Sequence, residues 1–312
     1  MSAGTNGSSV PAPRNRSDPA IAGWQEVPRV VAVLSDGSAL GGGALTPDRD
    51  IAPASLAVLL EDDAAGLRAR AGVPTWAAPL SERDIDELPA RLPALPADTG
   101  AIFLTHIDPA RARVAQHAVH EAGGPPTLTD ADTTMISLTA ALLTTIARAD
   151  REPSTSRVVI AGAAMLPELC PLLITTGIGD ISSWNASDAH AFPLYHLVSH
   201  ATAVIDLLGA TSKSSGRMPG EGWSSVVSPD DPSYRLLPAA GLFAALVRSP
   251  DATVDLDVFR VCALTVAAAT SPGHLVPELD DPRLTAAIAS AVFRALAQRA
   301  PSGSNRMPYP TV

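Results

Sequence analysis

Three short apolar runs and a fourth of mixed character constrain this chain more than any other feature. They are Arg29–Leu34 "RVVAVL", Gly100–Ile107 "GAIFLTHI", Ser156–Gly162 "SRVVIAG" and Ile178–Trp184 "IGDISSW". Each is too short for an ordinary helix, so each reads as a strand, the first, "VVAVL", as a buried one. The segments between them carry helical patterns: "APASLAVLLEDDAAGLRARAG" ended by Gly72, "PARARVAQHAVHEAG", and the long apolar "TMISLTAALLTTIARAD". Beyond the fourth run, "LYHLVSHATAVIDLLG" mixes a helix with a strand, "GWSSVVSP" is a further short strand, and "DVFRVCALTVAAATS" and "RLTAAIASAVFRALAQRA" are helical. Strands alternating with helices give an α/β protein whose parallel sheets are covered by helices on both faces.

Size and charge narrow the function. A chain of 312 residues with 46% hydrophobic content can bury a substantial core. The formal net charge of −10 argues against a nucleic-acid partner or an anionic membrane surface. Cys170 and Cys262 sit in apolar contexts, with neither metal-site spacing nor a disulfide framework, which fits a reducing, cytoplasmic setting. No targeting segment and no membrane-spanning run is expected. Residues 1–24 read as a disordered tail, 25–150 and 151–275 as two α/β domains divided near Arg148–Ser156, and 276–312 as a C-terminal helix and tail. The polar loop Gly209–Gly222 is expected to be mobile.

Ser35–Leu45, "SDGSALGGGAL", comes straight after the first strand with a glycine cluster. No Lys-Ser/Thr stands after the glycines, so it is not a phosphate loop. Its order with other segments is informative. "VLSDGSALGGG", "IFLTHI", "PTLTDADTTMISLTAALL", "RVVIAGAA" with "TTGIGDISSWN", "AGLFAAL" and "LVPELDDPRLTAAIASAVFRAL" occur in that sequence. Together, from about Val30 to about Ala300, they resemble the malic enzymes of the short bacterial type. The resemblance implies a two-domain α/β fold whose second domain is Rossmann-like, and on it the chain is expected to lack the family's N-terminal helical region.

The family oxidises a 2-hydroxy dicarboxylate with NAD(P) and decarboxylates it, using a divalent metal held by carboxylates. Carried over position by position, its requirements are mostly unmet. The Glu-Asp pair of metal ligands reads Thr105 and His106. The third ligand position is Asp130, the only one retained, so no bound metal is expected. The family's Lys base falls at about Leu56, and the only lysine is Lys213. The first tyrosine is Tyr195, far from the family's proton donor, and Ala39 or Leu40 replaces a substrate-binding Arg.

The cofactor turn reads Gly162, Ala163, Ala164, Met165, Leu166, Pro167 where a dinucleotide fold wants G-x-G-x-x-G. Only the first glycine stands; Ala164 adds a methyl where the diphosphate should lie. Asn185 replaces the acidic residue that grips the ribose. Two family asparagines read Ser228 and, roughly, Arg235. Gly162, Ala164 and Asn185 thus mark a degenerate cofactor site.

The expectation is a divergent malic-enzyme homologue that has lost metal- and NAD(P)-dependent decarboxylation of malate. Its cleft would serve a non-redox small-molecule reaction or ligand binding, with His106, Asp130, Thr105 and Asp36 as the polar centre. His106 stands where open α/β sheets place their ligands, and with Asp130 it can form an acid–base pair. No cofactor is expected. The alternatives are a working NAD(P)-dependent malic-type oxidoreductase with Mg or Mn, and a structural partner of a paralogue. A small-molecule ligand and a homodimer are the expected partners. Asp108 and Asp132 read as turn or cap residues, and His117 and His120 as a solvated helix face. His196 and His200, at i, i+4, lack a third metal ligand. Lys213 is a candidate anion anchor.

Overall fold

A computed structural model describes residues 29–40, 53–213, 225–229, 233–249 and 251–299. The expected N-terminal tail, most of the loop Gly209–Gly222, the Lys213 side chain and the end of the glycine segment lie outside the described residues.

Two four-stranded sheets, each wholly parallel, organise the chain. The first holds β1 (Val30–Ser35), β2 (Thr75–Pro79), β3 (Thr99–Leu104) and β4 (Thr127–Thr129), in the order β2-β1-β3-β4. The second holds β5 (Arg157–Ala161), β6 (Asp180–Trp184), β7 (Ala203–Asp206) and β8 (Ser225–Val227), in the order β6-β5-β7-β8. The two orders are the same. Each sheet reverses its winding direction between its first and third strands. Such a switch point opens a crevice at the carboxyl ends of those strands, where open α/β sheets bind ligands.

Side-chain alternation explains why the strands read as unbroken apolar runs. In β1, Val31 and Val33 enter one core, while Ala32 and Leu34 enter another on the opposite face. In the second sheet, Val158 and Ile160 share the first core, and Val159 and Ala161 pack with Trp184, Leu194 and Val198. Both faces are buried, so no polar alternation marks these strands. The first core is continuous between the sheets. Its centre is the helix Asp130–Arg148, buried nearly all round from Asp132 to Ile146.

The two edge strands β2 and β4 are the elements the sequence did not reveal as strands. Thr75–Pro79, "TWAAP", is only partly buried and has a Pro at its end. β4 is three residues long and runs directly into the helix at Asp130. Among the described residues no helix is long and apolar enough to cross a membrane.

Candidate functional site

The C-terminal edge of the first sheet carries a compact polar cluster. Past the end of β3, the Thr105 N–H still donates to the Leu34 carbonyl at 3.0 Å. His106 then turns with φ +55°, a left-handed conformation unfavourable for a side chain of this size. Two bonds hold it there. Its N–H donates to Asp130 Oδ2 at 2.6 Å, and its carbonyl accepts from the Ala39 N–H at 3.1 Å. The turn sends the imidazole to Asp63, with Nε2 3.0 Å from Oδ2.

Asp63 comes from the helix Pro53–Ala71. Leu56, Leu60, Ala64 and Leu67 form that helix's buried stripe, and Asp63 lies within it. A carboxylate so placed needs a charged partner. Arg235, from the short helix Ser233–Leu236, supplies it. Its Nη1 donates to Asp63 Oδ2 at 2.7 Å and its Nη2 to Oδ1 at 2.9 Å, a two-pronged pair. Nη1 also donates to Thr105 Oγ1 at 3.0 Å, and that hydroxyl donates to Asp130 Oδ2 at 3.1 Å. Asp130 Oδ1 is buried without a hydrogen-bond partner and lies 3.8 Å from Arg235 Nη1.

The two carboxyls respond in opposite directions. Burial alone would raise Asp63, but the bonds from His106 and Arg235 outweigh it and hold the carboxyl below its ordinary value of 3.8. Asp130 is pushed above that value by burial, against the weaker opposing pull of Arg235, the His106 N–H and Thr105. The signs predict acid behaviour. Asp63 contributes stability that is fully present above its unfolded value and is lost as pH falls through its lower folded value. Asp130, with its folded value raised, makes stability fall as pH rises from the unfolded value through the folded one. Urea midpoints measured down the acid range should therefore shift oppositely in the two variants. Asp63→Asn should flatten the loss of stability on acidification, and Asp130→Asn should steepen it.

Thr105, His106 and Asp130 do converge. Asp36 does not join them, which corrects the four-residue centre expected from sequence. Its Oδ1 accepts from the Ser38 N–H at 2.9 Å and from Ser38 Oγ at 2.6 Å, and its Oδ2 from Arg111 at 3.0 Å. It ties the end of β1 to the helix Pro109–Glu121. The His106 ring is also paired with Asp63 rather than Asp130, because the positive φ leaves only the backbone N–H facing Asp130. Asp108 caps the helix Pro109–Glu121 through the N–H groups of Ala110 and Arg111, and Asp132 forms a capping box with Thr129.

At the edge of the second sheet, Gly162 makes the sharp turn, with φ +88°. A Cβ there would meet Leu208 Cγ at 2.7 Å. The chain then makes a single tight turn, Ala163–Met165, holding Ala164; the helix begins only at Leu169 and ends at Thr175. A pyrophosphate is normally met by the first N–H groups of a helix opening directly from the glycine turn. Here Leu166 and Pro167 intervene, and Pro has no N–H. Asn185, at the end of β6, is exposed, and its N–H donates to Asp188 at 3.3 Å. These residues do not fit a dinucleotide.

The donor set does not fit a divalent metal either. Both Asp63 oxygens are taken by Arg235, and Asp130 Oδ2 already accepts two bonds. Among the described residues no group of three or more His, Cys, Asp or Glu is arranged to hold an ion. A divalent cation 4 Å from the guanidinium would be repelled by roughly 8 kcal/mol at an effective dielectric of about 20, twice the value for two unit charges.

Between the two sheet edges lies a cavity of about 210 Å³. Leu104, Ile107, Met165, Leu166 and Leu207 give it apolar walls from both sheets, with Asp130 and Thr134 as polar points.

Paired parallel sheets of this order, with a crevice between their carboxyl edges, define the class: the chain has the malic-enzyme fold. Similar solved structures include the NAD-dependent malic enzyme of Thermotoga maritima, with TM-score 0.69 and 18% identity over 85% of this chain and 84% of that one. The malic enzyme of Pyrococcus horikoshii aligns with TM-score 0.66 and 17% identity, over 86% of this chain and 76% of that one. That of Entamoeba histolytica aligns with TM-score 0.66 and 15% identity, over 86% and 69%. At these identities the likeness is one of fold. No protein-family model and no curated protein matches the sequence.

Proposed function

We propose that the chain is a divergent relative of the malic enzymes that does not oxidatively decarboxylate malate. Its crevice serves a small, weakly polar molecule in non-redox chemistry. One observation carries this reading. A guanidinium, Arg235, pairs with Asp63 and stands beside Thr105 and Asp130, two of the positions where the resemblance calls for metal ligands. A fixed internal cation neutralises the site without an external ion. The apolar side chains Met165 and Leu166 beside the cofactor turn, and the late start of the helix after it, support the same conclusion for the nucleotide.

Calorimetric titration with NAD and with NADP, each with and without Mn²⁺ and malate, tests it. The expected result is no saturable heat in the micromolar range under any of these conditions. Micromolar binding of either nucleotide would restore the oxidoreductase reading.

A further inference from the structure

We propose that His106 is a general base acting through Nδ1, with Asp63 as its positioning residue. The proposal deepens the non-redox reading and rests on it.

The geometry sets the ring's protonation pattern. Asp63 receives one N–H of Arg235 on each oxygen, so it is a carboxylate and can only accept. Its Oδ2 lies 3.0 Å from His106 Nε2, so that nitrogen must carry a hydrogen and donate it. In the neutral ring the lone pair is then on Nδ1. Among the described residues Nδ1 has no hydrogen-bond partner. The His106 side chain is 12% exposed, and Nδ1 is not a buried, unpaired atom.

The arrangement is a chain of fixed groups: Arg235 grips Asp63, Asp63 orients the ring, and the ring offers a base. The strained backbone of His106 is held by bonds to Asp130 and Ala39, which prevents the ring from relaxing away. In the step itself, Nδ1 takes a proton from an O–H or an activated C–H of the ligand. The electron pair of that bond stays on the ligand, and the imidazolium formed faces the Asp63 carboxylate. Two neighbours of His106, Ile107 next in the chain and Asp130 bonded to its N–H, line the apolar cavity, though the imidazole itself does not.

Two measurements test this. Long-range ¹H–¹⁵N NMR of the native protein reads the ring directly. The expected state is the Nε2–H tautomer; an Nδ1–H tautomer would overturn the proposal. The second uses 5-nitrobenzisoxazole, a generic probe of a positioned base. Removal of its C3 proton forms the nitrile as the N–O bond breaks to phenolate, so no co-reactant is needed. The native protein should open the ring at least about 10²-fold faster than the same concentration of free imidazole. His106→Asn should abolish the excess, since Asn tolerates a positive φ and carries no base. Asp63→Asn should lower the rate and mix the tautomers, a spectral change that a merely structural role would not produce. Equal rates for the native protein and His106→Asn would overturn the proposal whatever the variants' stability. Nucleotide binding in the calorimeter would instead overturn the reading beneath it, so the two failures are distinguishable.

Discussion

Arg235→Ala should destabilise the protein by about 3–5 kcal/mol in urea unfolding, the usual cost of removing one partner from a buried charge pair. Arg235 and Asp63 are only 18% and 7% exposed in their side chains. With the guanidinium gone, Asp63 keeps only the imidazole, and Asp130 Oδ1 loses the nearest positive charge. The loss should also be wider than one contact, because Asp63 and Thr105 are 172 and 130 residues away in sequence. Arg235→Lys should recover part of the stability. An ammonium keeps the charge but cannot make the two-pronged pair while also reaching Thr105. A midpoint within experimental error of the native protein for Arg235→Ala would mean the cluster is solvated and unimportant to the fold.

Phe103→Ala should cost a similar amount, about 3–5 kcal/mol, by a different cause. Phe103 is fully buried in β3 and meets Phe243 edge to face, with ring centroids 5.3 Å apart. Phe243 lies on the helix Ala239–Leu246, so the pair joins the first sheet to the C-terminal helices within the shared core. Truncation leaves a ring-sized void in packing that cannot easily collapse around it. Phe103→Leu keeps most of the volume and should cost under about 1.5 kcal/mol. Matched urea midpoints of the two variants would show that the void is inconsequential.

The sequence exposes some of this architecture and hides the rest for physical reasons. β1, β3 and β5 are legible because both of their faces are buried, which leaves an unbroken apolar run. β2 is hidden because an edge strand is half solvated, and "TWAAP" carries no such run. At the site, Thr105, His106 and Asp130 are legible from their positions at the end of a strand and the start of a helix. Asp63 is not, because it sits in "LLEDDAAG" beside Glu61 and Asp62, which are exposed, and the acidic run reads as a solvated face. A signal is nevertheless present. Counting from Leu56 in helical steps through Leu60 and Ala64 to Leu67 puts Asp63 on the apolar stripe, where a lone carboxylate implies a buried partner. Arg235 stands apart: the sequence marks it only as the replacement for a family asparagine, and no local pattern ties it to a helix 172 residues earlier.

The molecule is a malic-enzyme fold whose central charge is built into the chain. Thr105 and Asp130, two positions that the resemblance assigns to metal ligands, stand beside an arginine that bonds Asp63 and Thr105 and lies 3.8 Å from Asp130 Oδ1. The most direct test is titration of the native protein with Mn²⁺, reading free Mn²⁺ by its electron paramagnetic resonance signal. An internal cation predicts a signal that grows in proportion to added metal, with no saturable site in the micromolar range. A micromolar site that disappears in Asp130→Asn would contradict it.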